Sequence, residues 1–127
     1  MSGKGRRDEM AWQMEGYNGR KVVLCEDTSP DFSTLITAEV RKGCLILKGR
    51  DRGPSMLAFL GVDLYEYSYS FDEENTKRLF EALGADQGDV LAAIQVRFGG
   101  MSACNRLTRY AESLGIQSSF DALGEGN

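Results

Sequence analysis

The alternation of apolar and polar positions is strictest over residues 63–71 (DLYEYSYSF). Tyr65, Tyr67, Tyr69 and Phe71 point one way and Leu64, Glu66, Ser68 and Ser70 the other. That period of two predicts a strand. Residues 21–25 (KVVLC) are β-branched and apolar and predict another. Residues 33–41 and 44–48 predict a hairpin closed by Lys42-Gly43. Pairing Arg41 with Cys44 sets Val40 opposite Leu45 and Ala38 opposite Leu47, so that these four share an apolar face with Ile36. Thr37, Glu39, Arg41, Cys44, Ile46 and Lys48 then fall on the other face, which is mostly polar. A slip of one residue would mix the two faces, so the pattern selects this register. Near the N-terminus, Met10, Trp12 and Met14 alternate as a short edge strand would.

Beyond Ser70 the period lengthens to that of helices. The first opens with Ser70-Phe-Asp-Glu73, which has the form of a capping box, carries Thr76, Leu79, Phe80 and Leu83, and stops at Gly84. The second starts near Asp86 or Asp89, carries Val90, Leu91, Ile94 and Phe98, and ends at Gly99-Gly100. The third is capped by Ser102, carries Leu107, Tyr110, Ala111 and Leu114, and ends at Gly115. Residues 54–60 predict one or two helical turns. Residues 26–31, with Ser29-Pro30, read as a loop and residues 49–53 (GRDRG) as a charged turn. Residues 116–120 are a candidate fifth strand.

Strands gathered first and helices afterwards predict an α+β fold. The expectation is an antiparallel meander of about four strands, with a fifth candidate, packed against three C-terminal helices. Residues 1–9 read as a flexible tail, 10–120 as a single α+β domain and 121–127 as a frayed C-terminus. The composition agrees. A 127-residue chain with 42% hydrophobic and 27% charged residues can hold a core without staples.

Charge narrows the partners. A net charge of −4 argues against tracking a nucleic-acid backbone and favours a partner with a basic surface. The longest apolar runs fall far short of the ~20 residues of a membrane span. With no apolar segment after the basic N-terminal residues, the expected location is cytoplasmic. There the three cysteines, Cys25, Cys44 and Cys104, are free thiols.

The chain has no histidine. This removes the commonest general base, the usual activator of Ser and Cys nucleophiles, and the commonest zinc ligand.

Four features remain as candidate chemistry. Cys104 sits in the first turn of the third helix after Gly99-Gly100, where the dipole and free amides favour a thiolate or a small anion. Against this stands the frequent burial of free cysteine as a small apolar residue. The row Tyr65, Tyr67, Tyr69 is either an exposed stacking or anchoring surface or the face on which a helix packs. Lys48, Arg50 and Arg52 on a glycine-punctuated turn can clamp a carboxylate or phosphate, or simply stand in water. Asp72, Glu73 and Glu74 have the charge for a divalent cation, but acids at a helix N-terminus need no metal to explain them. No metal and no cofactor are expected.

Together these predict a small non-catalytic protein-interaction module, of inhibitor, immunity or adaptor type, binding a macromolecular partner. The alternative is a thiol-dependent enzyme or small-anion binder centred on Cys104. Homodimerisation through the sheet edge or the aromatic face is a further expectation.

Overall fold

The structure, a computed structural model, describes residues 12–125. Five strands form one antiparallel meander in chain order: β1 (Lys21–Thr28), β2 (Ser33–Arg41), β3 (Cys44–Arg52), β4 (Leu64–Ser70) and β5 (Ser119–Glu125). Four helices accompany them: α1 (Pro54–Leu60), α2 (Glu73–Ala82), α3 (Val90–Phe98) and α4 (Ala103–Ser113). The α+β fold with C-terminal helices is the one the pattern predicts.

The β2–β3 hairpin has the expected register, with Arg41 opposite Cys44, Val40 opposite Leu45 and Ala38 opposite Leu47. Its two-residue turn needs positive φ at both positions, and Lys42 (52°) and Gly43 (79°) supply it. Lys42 tolerates this because the turn's twist matches that of the strands it joins.

One face of the sheet is closed by helices. Ile36, Ala38, Val40, Leu45 and Leu47 are buried there with Leu79 and Phe80 of α2, Leu91 and Ile94 of α3, and Leu107 and Ala111 of α4. The buried Thr76 hydroxyl ties α2 to the hairpin by accepting from the Leu45 amide at 2.9 Å and donating to the Phe71 carbonyl at 3.0 Å. A helix α3 cap is set by Asp89, whose side chain accepts from the amides of Leu91 and Ala92. Among the described residues, the core places no helix on the opposite face of the sheet.

Several local expectations are corrected. β3 runs on through residues 49–52, so the predicted charged turn is strand. Its alternation persists, with Gly49 and Asp51 on the covered side and Lys48, Arg50 and Arg52 on the open side. β5 occupies Ser119–Glu125 rather than 116–120, and so residues 121–125 are paired with β4 instead of frayed. Ile116 belongs to the core from the preceding loop. Residues 14–17 form a 3-10 turn, not an edge strand, because Tyr17 turns inward. Its hydroxyl accepts from the Val90 amide at 2.9 Å and donates to the Gly88 carbonyl at 3.3 Å. The cap of α2 is Asp72, which accepts from the Asn75 amide, so Ser70 and Glu73 do not form the predicted capping box. The predicted tail at 1–9 and Met10 lie outside the described residues.

Candidate functional site

The site is built by the side of the sheet that the helices leave open. Alternation in β3 sends Lys48 and Arg50 outward while Leu47 and Gly49 face the helices. The same alternation in β2 sends Leu35, Thr37, Glu39 and Arg41 outward, and in β4 Glu66 and Ser68. The result is an open groove of about 480 Å3, bounded by Lys21 of β1 at one side and Asp121 and Ala122 of β5 at the other.

Its charges are arranged in pairs. Glu39 is the most enclosed of them. It accepts from Arg41 Nε at 2.8 Å on one oxygen, and Lys48 Nζ stands 3.4 Å from the other. Burial alone would raise the Glu39 carboxyl, but Lys48 and Arg41 outweigh it and hold the group below its usual range. Farther along, Arg50 Nε lies 3.3 Å from Glu66 Oε2, with both side chains largely in water. The groove is therefore a polar surface with both signs of charge, pre-set in position by the strands beneath it. Beside it, Arg50 and Arg52 line a smaller hollow with Glu26, Thr28 and Thr34.

The predicted site residues divide between the two faces. Lys48, Arg50 and Arg52 come together as one row on the open face, held by a strand rather than a loop. Tyr65, Tyr67 and Tyr69 lie on the helix side, half-buried. Tyr67 stands opposite Gly49, and its ring fills the space a side chain would take: a Cβ at Gly49 would lie 2.0 Å from the Tyr67 ring. Tyr65 and Tyr67 rings sit 5.6 Å apart, and Tyr69 packs on Phe120 at 4.9 Å. Burial, with the neighbouring Cys104 and Asp51 adding to it, pushes the Tyr67 hydroxyl well above its usual range. Tyr67 and Tyr69 thus pack against the core, and Tyr65 packs on Tyr67 beside them.

Cys104 is buried, 5% exposed, in the first turn of α4. Burial and then Asp51 push its thiol up to about 11, which disfavours the thiolate that nucleophilic chemistry needs. Arg106, two residues on, donates to the Phe98 and Gly99 carbonyls and so closes the α3–α4 corner. Asp72, the cap of α2, and Glu73 and Glu74 in its first turn all stand exposed. Among the described residues no group of three metal-ligating side chains comes together.

Sequence reasoning missed Lys21, Glu66, Ser68 and Asp121 as groove residues. The hairpin register already placed Thr37, Glu39, Arg41 and Lys48 on one face. The strand β3 extension and the position of β5 were the missing links. No helix of the described residues is long and apolar enough to cross a membrane. No protein-family model, curated protein or solved structure matches the chain.

Proposed function

We propose that the protein is a non-catalytic interaction module that binds a protein partner on the open face of its sheet, as an inhibitor, immunity-type or adaptor protein does. The observation that carries this reading is the groove itself. Five strands present a grooved polar surface whose charges are positioned by ion pairs, while Cys104 is turned inward. Ion pairs held on a strand lose little freedom on binding, so such a surface recognises a partner by charge pattern. The net charge of −4 draws a partner with a basic surface from a distance. At contact, the groove selects one that offers both signs.

The test uses the full chain as bait in its own host lysate, at low and high salt, beside the double variant Lys48→Glu, Arg50→Glu. The expected result is a stoichiometric protein captured by the wild type, released by salt, and missing from the variant, whose melting temperature stays close to that of the wild type. Equal capture by wild type and variant would place binding elsewhere and sink the reading.

A further inference from the structure

The two edges of the sheet are finished differently. Strand β1 has a bulge between Val23 and Cys25, and its backbone is taken up from outside the sheet. Gln95 Nε2 donates to the Val23 carbonyl at 2.8 Å, and the Gly100 amide donates to the Leu24 carbonyl at 2.8 Å. A bulge and a covering element are how sheets block addition of another strand. Among the described residues, strand β5 has neither. It runs seven residues against β4 without a register shift, it contains no Pro and no Lys, and the sheet ends with it. Ser119, Phe120, Asp121 and Ala122 are exposed, with Phe120 at 55%. An edge of that length leaves a row of backbone donors and acceptors with no strand beside them.

We propose that β5 of a second copy of this chain occupies that edge, antiparallel and two-fold symmetric about Ala122, joining two five-stranded sheets into one. The sequence SFDALGE selects both the occupant and the register. Centred on Ala122, all seven residues pair: Ser119 with Glu125, Phe120 with Gly124, Asp121 with Leu123. No carboxylate then faces another. Centring on Asp121 sets two aspartates opposite each other, and centring on Leu123 sets Asp121 opposite Glu125; both also shorten the ladder. Like charges directly opposite destabilise a strand pair, so the Ala122 register prevails. A two-fold axis perpendicular to the sheet keeps both helical layers on one side and both polar grooves on the other. The remaining like charges are on the diagonals, Asp121 of one copy with Asp121 and Glu125 of the other, together with the net charge of each copy, so association strengthens with salt. That dependence is opposite to the one expected for the partner on the open face, and so the two readings stand or fall separately.

The test is sedimentation of the full chain from about 1 μM to about 1 mM, at low and high salt. Beside it run Phe120→Lys, which puts a charge on the edge, and Val96→Lys, at an 84% exposed position on α3. The expected result is a dimer that tightens with salt, weakens by about tenfold or more in Phe120→Lys, and is unchanged in Val96→Lys. Since Phe120 packs on Tyr69, Ala122→Cys provides a second arm that leaves this contact intact. Opposed strand positions lie within disulfide reach, so mild oxidation should cross-link Ala122→Cys to a dimer that the wild-type cysteines do not give. A monomer at every concentration would overturn the proposal, as would a dimer indifferent to Phe120→Lys that fails to cross-link through position 122.

Discussion

Strand β3 places neighbouring residues in opposite settings. Leu45, Leu47 and Gly49 face the helices, where Leu45 and Leu47 are wholly buried and Gly49 is covered by the Tyr67 ring. Lys48 and Arg50, between and beside them, face water and hold carboxylates across the sheet. The comparison teaches that one side of this strand fixes stability and the other is left free for the recognition proposed above. The covered side cannot change without a packing cost. The open side can, because exposed ion pairs contribute only about 0–1 kcal/mol each. Substitutions along β3 should therefore alternate between unfolding the protein and leaving it folded.

The largest effect belongs to Leu47→Ala. Removing a fully buried leucine side chain should cost about 2–5 kcal/mol, read by urea unfolding. A cost below about 1 kcal/mol would mean that the covered side is not the core it is described as.

Next is Gly49→Ala, which forces the Tyr67 ring from its place and should cost about 1–3 kcal/mol. In a Tyr67→Ala background the same substitution should cost little, since the clash is gone and glycine is a poor strand residue. Additive losses in the double-mutant cycle would break the claim that this pair is one packing unit.

Much of this was legible in the sequence. The Tyr65–Tyr69 alternation and the hairpin register follow from side-chain period alone, and both appear as read. What was not legible has physical causes. Gly49, Arg50, Asp51 and Arg52 look like a turn because three are charged and one is glycine. They stay in the strand because Thr34 donates to Asp51 across it and Tyr67 fills the place above Gly49. β5 has no apolar alternation to signal it; pairing with β4 defines it. Cys104 was placed correctly in the first turn of its helix, but sequence position says nothing of how deeply α4 presses that turn onto Tyr67 and Tyr69. The groove needed both faces assigned on five strands at once, and only two of those strands had a register readable by hand.

A smaller effect tests Cys104. Its folded thiol titrates at about 11 and an unfolded one near 8.5, so the neutral thiol favours the folded state fully below the lower value. That contribution is lost as pH rises from about 8.5 towards 11. Cys104→Ala should show a shallower alkaline loss of stability than the wild type. In the folded protein at pH 8, Cys104 should resist alkylation while Cys25 and Cys44, less buried, react first. Rapid labelling of Cys104 would contradict its assignment to packing.

The smallest effect lies on the open face. The Glu39 carboxyl is held below its usual range by Lys48 and Arg41 against the opposing cost of burial. Its contribution is therefore present above the unfolded carboxylate range and disappears as pH falls through the folded value. Glu39→Gln should leave stability at pH 7 within about 1 kcal/mol of the wild type and flatten the acid limb below about pH 4. An unchanged acid limb would remove Glu39 as the organising charge of the groove.

The central claim, that the open face binds and the covered face does not, is tested most directly by lysine acetylation footprinting of the free protein and of its complex with the captured partner. Lys21 and Lys48 line the groove, whereas Lys77 lies on α2 away from it. The account predicts that Lys21 and Lys48 become protected in the complex while Lys77 stays reactive. Protection of Lys77 with Lys21 and Lys48 unchanged would contradict it.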